Sequence, residues 1–183
     1  MHIGRDAWRA VGRRLFRRFR APVLVGLGAL AGLAAGVVVT AMSAITNRLH
    51  SLLFAIDVHA RLSEQRALAD PRLALVPAIG GMVLAIVAVV VRARGRRAPV
   101  DPIEANALHG GRMSLSDSLI LAVQTMISSG FGASVGLEAG YTQVGSGLAS
   151  RLAVALGLRR AEVRMLVGCG AAGAIAAAFG API

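Results

Sequence analysis

Charged residues in this chain are gathered into short stretches, and the runs between them are long and apolar. No charged side chain falls between Ala21 and Asn47, between Leu73 and Val91, or from Met165 to Ile183. Each run meets or approaches the roughly 20 apolar residues a helix needs to cross a bilayer core. Pro22 suits the first turn of a helix, so the first run predicts one long helix to about Leu49. Asp70-Pro71 is a start signal for a second helix over about 72–93, in which Pro77 and Gly80-Gly81 predict a kink or break near the beginning.

The later segments are shorter. Pro99-Val100-Asp101-Pro102 reads as a turn, Ile103–Leu108 as one or two helical turns, and His109-Gly110-Gly111 as a break. Ser114 or Ser116 can cap a helix that begins near residue 115 and ends at Ser128-Ser129-Gly130, with Asp117 in its first turn complementing the helix dipole. The glycine-rich segment 130–136 is uncharged, and a helix starting at about Glu138 and ending near Gly157 follows it. Arg159, Arg160 and Arg164 mark an interfacial turn. Glu162 falls in the first turn of a last helix that ends at Phe179-Gly180. Short hydrophobic pieces interrupted by glycine and proline predict discontinuous helices whose ends meet at mid-membrane.

Composition supports a membrane protein. The chain is 56% hydrophobic with a mean hydropathy of +0.67, above the roughly 45–50% apolar content of soluble domains. Its net charge is +11, and all 20 basic residues are arginines. Such a balance in a soluble protein points to nucleic acid, but aromatic residues make up 4% and the arginines flank apolar runs, which argues against a base-stacking surface and leaves a nucleic-acid binder as a remote rival. Arginine-rich flanks instead orient helices toward the cytoplasm. Arg5 to Arg20 holds seven arginines interleaved with Trp8, Val11, Leu15 and Phe19, the pattern of a basic amphipathic helix over 1–20 on the cytoplasmic surface of a plasma (bacterial inner) membrane. Arg92, Arg94, Arg96 and Arg97 place the other end of the first helix pair on the same side and make the 49–72 connection external. Membrane lipids are the implied surroundings.

Other features are read as packing. Gly28, Gly32 and Gly36 form a small-residue face, taken as helix packing rather than a dedicated dimer surface. Cys169 is the one cysteine and is read as a small packing residue. His2, His50, His59 and His109 share no ligand spacing, so neither a metal nor any other cofactor is expected, and nothing implies enzymatic chemistry.

Glu138 stands apart. It lies in Gly136-Leu137-Glu138-Ala139-Gly140, within a stretch otherwise almost free of acid. An ionised group at membrane depth is expensive and marks a functional site by default. A helix that starts there leaves backbone N–H groups without partners at the positive end of its dipole, which together make an anion site. Gly136 and Gly140 allow close approach, so the amides around Gly136, Leu137, Ala139 and Gly140 form a candidate cradle. The Glu138 carboxylate can fill that cradle in place of an external anion, and protonation would release it. Position and composition leave this gate and a plain dipole-capping role both open.

Gly136-Leu137-Glu138-Ala139-Gly140, followed by Thr142-Gln143-Val144-Gly145, resembles the glycine–arginine–glutamate–glycine–proline signature of the CLC chloride channels and chloride/proton antiporters. The glycine/alanine-rich run from Cys169 to Pro182 resembles that family's helix ending in a phenylalanine–asparagine–alanine–proline turn. Leu137 stands where the signature has arginine, and Gly140 where it has proline. The family's serine-bearing anion motif falls near Arg97–Asp101, where this chain has no serine, leaving backbone amides near Val100 as its substitute.

The resemblance implies an all-α membrane protein with transmembrane and discontinuous helices. These form the first half of an inverted-repeat membrane domain over 21–183, cut off within a recognisable pattern at its C-terminal end. It implies transport of chloride or a similar inorganic anion, as a channel or a proton-coupled antiporter, with Glu138 as the proton-responsive gate and a homodimer when full length. Two rivals stand beside it: another inverted-repeat anion transporter, and a non-conducting scaffold in which Glu138 only caps a helix.

Overall fold

A computed structural model describes residues 20–55, 75–96 and 98–181. The proposed amphipathic segment before Arg20, most of the 49–72 connection, and Arg97 lie outside the described residues. All regular structure among the described residues is helical, in six elements: α1 Arg20–Phe54, α2 Leu75–Ala93, α3 Pro102–Leu108, α4 Leu115–Gly130, α5 Glu138–Ala155 and α6 Arg160–Phe179. Three of them, α1, α2 and α6, are long and apolar enough to cross a membrane.

The boundaries follow local chemistry. α3 begins where the Asp101 carboxylate accepts from Ile103 N (2.7 Å) and Glu104 N (2.8 Å), with Pro102 at the first helical position where its missing N–H costs nothing. Ser114 caps α4 by accepting from Asp117 N. Gly180 ends α6 in the left-handed region, at φ 60°. Two expectations shift. α1 continues to Phe54 rather than stopping near Leu49. At about 1.5 Å per residue it is roughly 52 Å long, well over the hydrocarbon thickness of about 30 Å, so it tilts or projects. α2 runs through Pro77 without a break. Pro77 is its third residue, and an N–H there would have had no intrahelical partner to lose.

Glycine contacts give the packing directions. A Cβ at Gly28 would lie 3.2 Å from Cys169 Sγ, one at Gly32 3.9 Å from Gly173 Cα, and one at Gly36 3.7 Å from Ala177 Cβ. The three glycines and their three partners each advance by four residues, so α1 and α6 run parallel, face to face along small residues. The glycine face of α1 is therefore an internal packing surface, and Cys169 is part of it. α5 runs antiparallel to both, and α4 antiparallel to α5: Gly140 packs on Ala122 and Thr125, and Gly147 on Ser118. α2 lies against α4, and Gly80, its one buried residue, sits against the Phe131 side chain.

The core follows α5. One apolar cluster joins Ala35, Val39 and Met42 of α1 to Ala122, Tyr141, Val144 and Ala174. A second joins Ala31 to Ala149, Ala153, Val163, Leu166 and Val167. The polar residues on the buried face of α5 are tied to other segments. Gln143 Nε2 donates to Val100 O (2.8 Å), Ser146 Oγ to Val167 O (3.2 Å) and Ser150 Oγ to Gly111 O (2.6 Å). Burial without such partners would cost about 1–3 kcal/mol each.

The starts of α1 and α6 are clamped together. Arg20 Nε donates to Glu162 Oε1 (2.8 Å), and Arg159 N donates to Glu162 Oε2 (2.8 Å). The Glu162 side chain is 10% exposed, that of Arg20 44%. Glu162→Ala removes both bonds, while Arg20 can turn to water. The expected loss is about 2 kcal/mol, the range for hydrogen bonds to a charged group. It should appear as a lower unfolding midpoint in detergent, with Glu162→Gln losing less because it keeps an acceptor for Arg159 N.

Candidate functional site

The α4–α5 loop turns twice through backbone open to glycine, at Gly132 (φ 90°) and Gly136 (φ 72°). Gly132 N donates to Ser129 O (2.9 Å), Ala133 N to Ser128 O (3.1 Å) and Val135 N to Ala133 O (2.9 Å). These bonds close the end of α4 and aim the chain at the start of α5. The first α5 hydrogen bond is Tyr141 N to Leu137 O, at 2.9 Å, and Leu137 offers no side-chain cap. The backbone N–H groups of residues 136–140 therefore have no acceptor among the described residues. The five residues singled out in the sequence are thus among those with free backbone amides.

Glu138 is exposed, and its carboxylate folds back onto the loop rather than away from it. Oε2 occupies the space where a Gly136 side chain would stand, and Oε1 lies 3.5 Å from that position. Any side chain at 136 would evict the carboxylate from its own helix start. Gly140, two residues on, is buried. Its missing Cβ lets Thr125 Oγ1 approach, with Met42 Cε and Ala122 Cα 3.3 and 3.4 Å from where the Cβ would be.

The position of this start is fixed by α1. Tyr141 Oη and Ser43 Oγ share a 2.7 Å hydrogen bond, which sets the first turn of α5 beside Met42 and Ser43. α1 then continues to Phe54, so the amide turn lies short of its end. On the same side, His50 Nε2 and Ser129 O are 2.8 Å apart, tying the last turns of α1 and α4 together.

Charge is distributed unevenly between the two ends. The starts of α1, α4 and α6 and the ends of α2 and α5 share one end, which carries Arg20, Arg92, Arg94, Arg96, Arg112, Arg151, Arg159, Arg160 and Arg164. Arg96 Nη1 meets Asp117 Oδ1 there at 2.8 Å. Glu138 is at the opposite end with Arg48 and His50.

Val100 belongs to a different arrangement from the one its place in the sequence suggests. Its carbonyl is held by buried Gln143, and the first amides of α3 are already occupied by Asp101. An anion at the start of α3 would have to displace that carboxylate. The Asp101 cap had a signal in the sequence, since Asp followed by Pro is a helix N-terminus as readily as a turn. The Tyr141–Ser43 and Gln143–Val100 bonds had none, because their partners are 98 and 43 residues apart.

Residues 82–183, more than half of the chain, match the family described as voltage gated chloride channel. A curated relative, a ClcB-like chloride channel protein of Ralstonia nicotianae, is 33% identical over 114 residues, covering 60% of this chain and 27% of that protein. The chain thus spans just over a quarter of the length of the curated relative it matches. No solved structure matches it.

Proposed function

Because this chain belongs to the voltage-gated chloride channel family, we propose that it builds part of a pathway carrying chloride or a similar inorganic anion across a membrane. Glu138 is the gate of that pathway. The carboxylate and the permeating anion compete for the backbone amides of Gly136, Leu137, Glu138, Ala139 and Gly140, and protonation of Glu138 lets the anion in. Protons are therefore either a regulator of the flux or its second substrate.

The observation that carries this reading is the set of unpartnered amides at residues 136–140 with a carboxylate folded over them. Backbone N–H groups at a helix start are suited to a small anion that brings no shape of its own. The side chains of Leu137 and Ala139 beside them offer no polar group, so an anion there is held by backbone N–H groups. Arginines gathered at the opposite end support an orientation with that end in the cytoplasm of a plasma (bacterial inner) membrane and Glu138 on the external side. The rest of the pathway comes from the remainder of the protein, and a homodimer is its assembled form.

The test is flux. Full-length protein in liposomes loaded with chloride, with potassium and valinomycin to carry the balancing charge, should release chloride well above empty vesicles. External pH recorded in the same run distinguishes a channel from an antiporter. Chloride release equal to that of empty vesicles would rule the reading out.

A further inference from the structure

The arginine-rich end, opposite Glu138, carries a cavity. It has a volume of about 560 Å³ and lies between the α3–α4 and α5–α6 connections. Its lining combines His109, Arg112 and Arg160 with the apolar Leu108, Leu158 and Val163. Arg112 and Val154 are shared with an adjoining cavity of about 480 Å³ that adds Arg151.

Two facts make this more than a solvated charged rim. First, the positive charge is not neutralised locally. Among the described residues no carboxylate pairs with Arg112, Arg151 or Arg160; Glu104 faces His109 at 3.9 Å, and Glu162 is engaged by Arg20. Second, Arg160 is held in place. Its Nη2 donates to Leu108 O at 3.4 Å. Its aliphatic part packs beneath Gly110, whose absent Cβ would lie 2.7 and 2.9 Å from Cγ and Cδ. Gly110 sits at φ 63°, so backbone conformation and packing both favour glycine there. The loop holds the guanidinium at the cavity wall.

We propose that this cavity binds a phosphate-bearing anion with an apolar neighbour, which at this depth is an anionic phospholipid headgroup. Arginine forks match phosphate oxygens in pairs, and basic pockets between helices at the cytoplasmic face are suited to such headgroups. Leu108, Leu158 and Val163 then meet the glycerol and upper acyl chains. The site bridges the α3–α4 and α5–α6 turns, so an occupant fixes the distance between them.

Native mass spectrometry of the full-length protein in detergent tests this, with phosphatidylglycerol, phosphatidylcholine or inorganic phosphate added. The expected result is retention of phosphatidylglycerol and not phosphatidylcholine, lost about tenfold or more in R112Q/R160Q. Val154→Trp fills the cavity and keeps the arginines, so it should lose retention too, while Arg94→Gln, outside the cavity, should not. Inorganic phosphate retained without phosphatidylglycerol would assign the same arginines to a free anion. Equal retention of both lipids, unchanged retention in R112Q/R160Q or in Val154→Trp, an equal loss in Arg94→Gln, or no retention of any probe would overturn the proposal. Chloride flux in these variants is a separate readout, so this outcome is independent of the gate.

Discussion

Replacing Glu138 by glutamine is expected to remove the pH dependence of chloride flux and leave the pathway permanently conducting. On the proposed reading, the ionised carboxylate competes with the anion for amides that have no acceptor among the described residues. A hydrogen bond to a charged group in such a setting is worth about 1.5–3 kcal/mol, so displacing it changes access by about tenfold or more. Glutamine keeps the shape but cannot ionise, and its neutral oxygen is a weaker competitor. Alanine removes the competitor altogether. Both variants should therefore pass chloride at a rate that no longer follows external pH, and any coupled proton movement should stop. The measurement is chloride and proton flux from liposomes across a pH series. A glutamine variant whose rate and pH profile match the parent would mean that Glu138 caps the α5 dipole and does not gate.

The second large effect is structural. Gly170→Ala should lower the unfolding midpoint, while Gly168→Ala on the same helix should leave it unchanged or raise it. At Gly170 the α5 and α6 backbones touch. A new Cβ would overlap Gly145 O and come within 2.8 Å of Gly145 C and 2.9 Å of Ala149 Cβ. None of these is a flexible side-chain end, so the two helices must separate. Gly145 meets the same limit in return, with Gly170 O 2.6 Å and Ala35 and Ala174 Cβ 3.1 and 3.2 Å from its own missing Cβ. Overpacking of this kind costs about 1–3 kcal/mol, against a gain of about 1 kcal/mol for replacing helical glycine by alanine. At Gly168 nothing lies within 4 Å, and only the gain remains. Thermal unfolding in detergent separates the two signs, and equal midpoints for the pair would show that the α5–α6 crossing can relax.

Helix positions were largely readable in the sequence, because apolar runs and their Pro, Gly and Ser boundaries are local signals. α4, α5 and α6 begin and end within a residue or two of where those signals put them. The candidate turn was readable for the same reason, since a glycine-rich loop before an isolated acid needs no tertiary information. α1 was underestimated because Arg48 and His50 look like a boundary. Both are tolerated in a helix that outruns the bilayer, and His50 has a partner in Ser129. What could not be read was α5 as the centre. Gly140, Gln143, Ser146, Gly147 and Ser150 give it a modest apolar content, yet all five are buried. Their burial depends on small size and on acceptors supplied by α6 and the connections before α3 and α4, which become neighbours only after folding.

The parallel contact between α1 and α6 has a consequence for how the protein is made. Arg20 and Glu162 are 142 residues apart along the chain, and the glycine face of α1 waits until α6 has been made. At about 5–20 residues per second of synthesis, that wait lasts seconds. A lone helix can stand in lipid through it, since its backbone groups are satisfied within itself. The face left open is made of glycine and offers no side-chain grip to other newly inserted helices. A partner must approach backbone to backbone along small residues of its own, as Cys169, Gly173 and Ala177 of α6 do.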